Sequence, residues 1–267
     1  MKTRQPAVAG SFYPGSSDAL IEEVDRCIPE GQQPAAALAV VLPHAGYVYS
    51  GRTAGEVLAR TEVPDRVVLL GPKHHLGGAR AAASTVEAWS MPFGDVPLDR
   101  ELIDRITGST EVELDDLAHR DEHSLEVEVP FLWRRNPDLK LTPIALGMHR
   151  AEELIELGQG IASVIAALDQ PVLIAASTDM SHQIPQAEAE RLDKLAIDKI
   201  LALDPAGLHE TVLGNEISMC GVMPTTAALA AAIALGAKTA ELVEYTTSAR
   251  ASGDTARVVG YAGIIVR

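Results

Sequence analysis

The sequence predicts an α/β fold, a three-layer α/β/α single domain over residues 1–267 around a mixed, largely parallel sheet. Short apolar runs alternate with segments of helical periodicity along most of the chain. Hydrophobic residues make up 47% of the chain and aromatic residues only 4%. The core is therefore expected to consist of Ala, Val, Leu and Ile, as buried parallel strands require. No repeat, low-complexity tract or Pro/Ser-rich linker divides the 267 residues.

The first half of the chain predicts two strands and four helices. Residues 16–28 combine Ser and Asp capping residues with apolar positions one helical turn apart, which indicates a helix. AAALAVVL and RVVLLG are apolar runs typical of buried strands. The predicted elements in order are a helix at 16–28, a strand at 35–42, a helix at 51–60, a strand at 66–71, and helices at 99–106 and 122–135.

The second half continues the alternation and then changes. Strands are predicted at 139–146 and 171–177, and helices at 151–168, 187–203 and, rich in alanine, near 224–235. The last two apolar runs, 239–248 and 256–266, are joined by the loop ARASGD. Such a connection is typical of antiparallel neighbours, so the sheet is expected to be mixed.

Charge and cysteine content exclude several classes of function. The formal net charge is −15 and no Lys/Arg cluster is present, so nucleic acid is not expected as a partner. Cys27 and Cys220 are far apart, which argues against a disulfide framework and for a reducing, cytoplasmic location. No segment has the length and hydrophobicity of a signal peptide or a membrane span, so no membrane association is expected.

Histidines follow three of the predicted strands directly. His44 comes after VVLP, His74 and His75 come after VVLLGPK, and His182 comes after VLIAASTDMS. Ligands of open α/β sheets bind at the carboxyl ends of the strands. If these strands are neighbours, the three loops converge on one rim, and Cys220 in ISMCGVMP is a candidate fourth contributor.

A set of histidines with one thiolate fits iron or zinc and, less simply, copper. Cys220 precedes a predicted helix, where a lowered thiol pKa would favour ligation. Each residue also has a structural alternative. A histidine after a strand often caps it, and a free cysteine is often a small buried apolar residue.

The segment RDEHSLEVEVPF concentrates ionisable side chains. On a helix Glu122 and His123 would each share a face with Glu126. We expect Glu122 and His123 to serve the site, and Glu126 and Glu128 to have structural roles. Asp179, three residues before His182, would either orient a histidine or cap a turn.

The other histidines and the familiar nucleotide and hydrolase motifs carry no functional signal. His119, His149 and His209 lie in polar or helical contexts and are expected at the surface. The chain has no GxGxxG, no GxxxxGK[ST], no G-x-S-x-G and no HExxH.

Five stretches, in order, resemble one family over nearly the whole chain: PHAGYVYSG, LLGPKHH, DEHSLEVEVPF, STDMSH and MCGVMP. They are similar to the Memo-like family, whose prokaryotic members are called AmmeMemoRadiSam system protein B. The ends AGSFYPG and VVGYAGIIV also look like the ends of that family. The resemblance implies a fold similar to that of the class III extradiol dioxygenases.

The resemblance also implies roles for individual residues. His44 and His74 match two metal-binding histidines, His182 matches an acid/base histidine, and Cys220 stands where the dioxygenases have a glutamate. Family members are implicated in binding iron through this set, so His44, His74, His182 and Cys220 are candidate ligands, with His182 either a ligand or the proton-transfer residue. The residues expected in the pocket or around the ligands are Tyr47, His75, Glu122, His123 and Asp179.

Three functions are compatible with these residues. The first is an iron-dependent redox protein or oxidoreductase acting on a small molecule. The second is a binding module that uses the same cleft for a peptide or small anion, and the third is a zinc-assisted hydrolase. The resemblance implies two companion proteins, one with an AMMECR1 domain and one of the radical SAM class. Because the chain has no CxxxCxxC motif, radical SAM chemistry would come from a separate chain.

Overall fold

A mixed sheet of nine strands organises the computed structural model, which describes residues 2–267. The strands are β1 Thr3–Arg4, β2 Ala39–Leu42, β3 Arg66–Pro72, β4 Ala81–Ala83, β5 Ala88–Met91, β6 Gly94–Pro97, β7 Glu113–Leu114, β8 Lys140–Leu146, β9 Val172–Ser177, β10 His182–Ile184, β11 Ala240–Thr247 and β12 Val258–Val266. The helices are α1 Ser17–Cys27, α2 Tyr47–Ala59, α3 Arg100–Thr107, α4 Val129–Arg135, α5 Ala151–Ala166, α6 Gln186–Leu201, α7 Pro205–Gly214, α8 Val222–Ala234 and α9 Ala249–Ser252. Within this range no helix combines the length and apolar composition that crossing a membrane demands.

The predicted fold class is confirmed. Across the large sheet β2, β9, β3 and β8 lie side by side and run parallel. Antiparallel strands flank them: β12 pairs with β2, β11 pairs with β12, and β4 pairs with β8. Helices α1, α2 and α4 pack together on one face, and α5, α7 and α8 pack on the other.

Burial on both faces explains the composition of the central strands. Every residue of β2 and β9 is buried, and so is every residue of β3 except the first. Strands covered on both sides by helices read as continuous apolar runs, as in AVVL and VLIAAS. Because β2, β9 and β3 are adjacent and parallel, the loops that follow them share one edge of the sheet.

The structure differs from the sequence prediction between residues 84 and 135. A second sheet of β1, β5 and β6 joins the chain start to a hairpin that the apolar pattern did not indicate. The predicted helix at 122–135 begins only at α4, after a single 3₁₀ turn over Glu126–Glu128. Glu122 accepts the N–H groups of His123 and Ser124, which competes with helical bonding. The shared helical face predicted for Glu122 and Glu126 is therefore wrong.

Glu126 holds the start of the chain in place. Its carboxylate accepts Arg4 Nη1 and the N–H of Ala7, each at 2.7 Å, together with the N–H of Val8 and the hydroxyl of Tyr13. The Arg4 and Glu126 side chains are 5% and 0% exposed. Two further nitrogens of Arg4 donate to backbone carbonyls at 2.6 Å. The contacts of Glu126 are structural, in line with the role expected for it.

The prediction that His119, His149 and His209 are surface residues is wrong, since all three are buried. Each donates from one ring nitrogen to a backbone carbonyl: His119 to Ala82, His149 to Gly147 and His209 to His149. Each bond gives one ring nitrogen a hydrogen-bond partner in the interior. Their polar sequence neighbours gave no indication of this burial.

Replacing Glu126 with Gln is expected to destabilise the fold by about 3 kcal/mol or more, because it leaves the buried Arg4 guanidinium uncompensated. Urea denaturation followed by circular dichroism measures the change. The matched control is Glu101→Gln, which removes an exposed partner of Arg66 and Arg105 and is expected to leave the unfolding midpoint almost unchanged. Equal midpoints for the two variants would refute the assigned role of the Arg4–Glu126 pair.

Candidate metal centre

Three side chains from separate parts of the chain form a compact group of imidazoles. His44 follows β2, His74 follows β3, and His123 lies in the loop before the 3₁₀ turn. Their candidate ligand nitrogens all lie within 4.8 Å of one another. The ring centroids of His44 and His74 are 5.4 Å apart, and those of His74 and His123 are 4.6 Å apart. We call these three residues the imidazole cluster.

His44 is buried, and its orientation is fixed from the neighbouring strand. Its Nδ1 lies 2.8 Å from Ser177 Oγ, and that hydroxyl donates to the Ser124 carbonyl. Since a carbonyl only accepts, the Ser177 oxygen is left to accept from His44 Nδ1–H. Burial, and then the neighbouring His123 and His74, lower the pKa of His44 well below its usual value. The neutral ring therefore presents the lone pair of Nε2 to the site.

Glu122 orients His74. The carboxylate accepts from His74 Nδ1 at 2.8 Å and from the His74 backbone N–H at 2.6 Å. Burial raises the pKa of Glu122, but the bonds and charge of His74 and the N–H of Ser124 outweigh this and hold the pKa well below its usual range. A carboxylate behind an imidazole fixes the tautomer and makes the other nitrogen more basic, as around metal-bound histidines.

His123 belongs to the imidazole cluster itself, whereas the sequence placed it among the surrounding residues. Its ring stacks between Phe12, at 4.8 Å, and His74. Burial lowers the pKa of His123 to about 4, despite the opposing charge of Glu122. The ring of His123 is therefore a neutral imidazole at this edge of the sheet.

Cys220 lies beside His44 but not within the cluster. Its Sγ is 3.3 Å from His44 Nε2 and accepts the N–H of Asp179 at 3.2 Å. Burial, and then the charge of Asp179, raise the pKa of the Cys220 thiol. The lowered pKa predicted from its place before α8 is wrong, because burial outweighs the helix dipole. As a ligand, Cys220 would release a proton on binding.

Asp179 secures the backbone of His44. Its Oδ1 accepts the N–H of His44 at 2.9 Å, a contact between the ends of β9 and β2. Burial raises the pKa of Asp179 to about 6. Of the two roles considered from the sequence, the contacts correspond to holding a turn and not to orienting an imidazole ring.

His182 borders the same cleft, in β10. Its backbone N–H donates to Ser218 Oγ at 2.7 Å and its Nδ1 donates to the Ser218 carbonyl at 2.8 Å. The second bond fixes the proton on Nδ1 and leaves Nε2 free to accept one. The cleft has a volume of about 510 Å³ and is also lined by His44, His123 and Asp179.

The structure does not place Tyr47 and His75 at the cleft. Tyr47 is buried between Tyr13 and Phe131, and its hydroxyl donates to the Val127 carbonyl at 2.7 Å. Tyr49, two positions further along α2, lines the cleft instead. Residues two apart on a helix do not share a face, so Tyr47 and Tyr49 point in different directions. The side chain of His75 is exposed and is not among the residues that line the cleft.

Nearly the whole chain matches one known family. The model of that family, described as Memo-like protein, covers residues 4–265. The chain belongs to the Memo-like family. Relatives called MEMO1 family proteins include those of Methanosarcina barkeri (44% identity, 98% of this chain and 99% of that one), Methanococcoides burtonii (42%; 99% and 100%) and Aquifex aeolicus (38%; 99% and 99%). The family resemblance stated from the sequence motifs is confirmed.

A solved structure shares the fold of this Memo-like protein. The crystal structure of an uncharacterized protein from Escherichia coli K12 superposes with a TM-score of 0.53. The alignment covers 85% of this chain and 98% of that chain at 14% sequence identity. At this identity the likeness supports the fold alone.

Gly221 lets α8 approach the end of β9 and so positions Cys220. A Cβ at Gly221 would overlap the Thr178 side chain and the Ser177 carbonyl. Gly221→Ala is therefore expected to destabilise the protein by about 1–3 kcal/mol. Urea denaturation measures this change. The control is Gly214→Ala in α7, where an added Cβ meets open space. Equal stability of the two variants would contradict the close approach of α8 to the end of β9.

Proposed function

We propose that this Memo-like protein binds one metal ion in the imidazole cluster and acts as an oxidoreductase on a small molecule. Iron, as Fe²⁺, is the first candidate. The observation that carries the proposal is the set of three imidazoles whose ligand nitrogens lie within 4.8 Å of one another. Independent hydrogen bonds turn Nε2 of His44 and His74 toward the same space.

The donor set fits a transition metal. Neutral imidazoles suit iron, zinc and copper, and a thiolate favours soft or borderline ions. His44, His74 and His123 would supply three nitrogen ligands, and Cys220, next to His44, would be the fourth. Glu122 behind His74 adds a negative charge close to the ion.

In this proposal the metal supplies electron transfer and a coordination position for O₂ or substrate. The protein supplies proton transfer: His182 has Nδ1 held by Ser218, so Nε2 is the atom that takes up or gives back a proton at the cleft. The likeness to class III extradiol dioxygenases and the ligand role of His182 stay predictions.

A second candidate is a metal-free binding module for a peptide or small anion. The Cys220 thiol beside His44 Nε2 favours it, because a protonated thiol satisfies the lone pair of that nitrogen. A zinc-assisted hydrolase is the third candidate and differs from the first in the metal. Elemental analysis separates these functions.

The location and the partner proteins belong to the same proposal. A cytoplasmic location is supported by the two unpaired cysteines, Cys27 and Cys220. The AMMECR1-domain and radical SAM proteins rest on the family resemblance alone.

Protein purified anaerobically without a metal-binding tag is expected to contain near-stoichiometric iron by elemental mass spectrometry. His44→Ala and His74→Ala are each expected to abolish binding, because each removes a nitrogen of the cluster. His75→Ala is the control, since His75 adjoins His74 in sequence but lies outside the cluster. Metal-free wild-type protein that refuses added Fe(II) would exclude the oxidoreductase, and stoichiometric zinc would favour the hydrolase.

Ser177→Ala is expected to weaken metal binding by roughly 10–100-fold, because it removes the oxygen that orients His44. Competition with a chromophoric chelator measures the affinity, and circular dichroism verifies folding. Ser163→Ala, on the exposed side of α5, serves as the control. An unchanged affinity in Ser177→Ala would show that His44 needs no support from β9.

A further inference from the structure

One cation at the cleft is unpaired. Arg257 directly precedes β12, is exposed and lines the cleft. Within residues 2–267 its guanidinium makes no ion pair and no hydrogen bond, whereas nearby Arg250 is paired with Glu244 at 2.6 Å. The neighbouring Asp254 accepts instead from the N–H of Ala256. The five N–H donors of Arg257 are therefore free for a ligand.

The pleat of β12 places further cleft residues beside Arg257. Alternate residues of a strand face the same side, so Arg257, Val259 and Tyr261 form one row, and all three line the cleft. His182 in β10 pairs directly with Val259. Directly opposed side chains lie on one face of a sheet. His182, the candidate for proton transfer, therefore lies beside Val259, at the level between Arg257 and Tyr261.

Tyr261 supplies a second cleft donor, a hydroxyl without a protein partner. Its side chain is 2% exposed, and its hydroxyl makes no hydrogen bond within the described residues. Burial, and then the charge of Asp179, raise the pKa of this phenol, so it remains protonated. The O–H of this protonated phenol is therefore available to a ligand oxygen in the cleft.

The rest of the cleft suits a small ring. Phe12, stacked on His123, and the half-exposed Tyr49 line it as well. Its volume of about 510 Å³ is in the range of small-molecule sites and too small for a folded partner. Aromatic walls favour planar rings by stacking.

We propose that the cleft binds a small ring-bearing carboxylic acid whose carboxylate is held by Arg257 and Tyr261 and whose ring extends toward the imidazole cluster. The proposal names the substrate class of the site and rests on the proposed function. The planar guanidinium matches a carboxylate with two parallel hydrogen bonds, and the phenol adds a third donor. Asp179 and Asp254 also line the cleft, so the hydrogen bonds and charge of Arg257 would hold the carboxylate against their repulsion.

Binding of benzoate and of its neutral isostere benzamide to the full-length protein tests the proposal. Isothermal titration calorimetry is performed after treatment with a chelator, so that no metal can attract the carboxylate. The wild type is expected to bind benzoate about tenfold or more tightly than benzamide, as a charged hydrogen bond implies. Arg257→Gln is expected to abolish this preference, and Tyr261→Phe to reduce it by roughly two- to tenfold.

The matched control is Lys140→Gln, which removes an equally unpaired, exposed charge at the start of β8, away from the cleft. It changes the net charge as Arg257→Gln does and is expected to keep the preference for benzoate. Equal binding of the two ligands, no binding of benzoate in the millimolar range, or an unchanged preference in Arg257→Gln would overturn the proposal. Tighter binding of phenyl phosphate than of benzoate would overturn the assignment to carboxylates.

The outcome is separable from that of the metal measurement. His44→Ala is expected to lose metal and yet keep the benzoate preference, because Tyr261 lies in β12 and Arg257 directly before it, whereas His44 follows β2. A preference that depends on Arg257 in a protein that binds no metal would leave the cleft assignment standing and exclude the oxidoreductase. A protein that binds metal but shows no preference for benzoate over benzamide would leave the oxidoreductase standing and exclude the carboxylate site in the cleft.

Discussion

The order of three adjacent parallel strands, β2, β9 and β3, determines how His44 and His74 can meet at the site. Neighbouring strands lie about 4.8 Å apart, so β2 and β3, with β9 between them, are separated by about 9.6 Å. The rings of His44 and His74 approach to 5.4 Å, which requires both to lean over the end of β9. The residues at that end, Ser177 and Thr178, are small. Ser177 fills the gap with a hydroxyl that the His44 ring contacts.

One segment of the chain, residues 122–128, supplies three carboxyl groups with different tasks. Glu122 is held as a carboxylate by His74 and by backbone N–H groups, and it orients that ring. Glu126 is paired with Arg4 and ties down the chain start. Glu128 lies 2.8 Å from Ser177 Oγ, and burial raises its pKa well above the usual range. It is therefore a neutral acid that supports the hydroxyl behind His44 without adding charge.

The sequence predicted the positions of side chains that follow from the periodicity of strands and helices. It did not predict the properties that depend on how deeply a side chain is buried. The strands before His44 and His74 could be recognised as apolar runs, and their adjacency brings the two residues together. The membership of His123 in the imidazole cluster could not be predicted from the sequence. Its place depends on packing against Phe12 and on the turn stabilised by the Glu122 carboxylate. The raised pKa of Cys220 depends on how deeply α8 seats against β9, which no local pattern records.

Long-range and local electrostatics act in opposite directions on an anion at this protein. The net charge of −15 repels anions in general, but salt screens this field over about 8 Å at physiological ionic strength. A polyanion such as nucleic acid would have to contact many surface carboxylates at once. A small anion in the cleft would meet only two carboxylates, Asp179 and Asp254, beside Arg257, so local hydrogen bonding decides its affinity. The unpaired guanidinium thus favours a small anion over a large one, because a small ligand meets fewer of the acidic side chains.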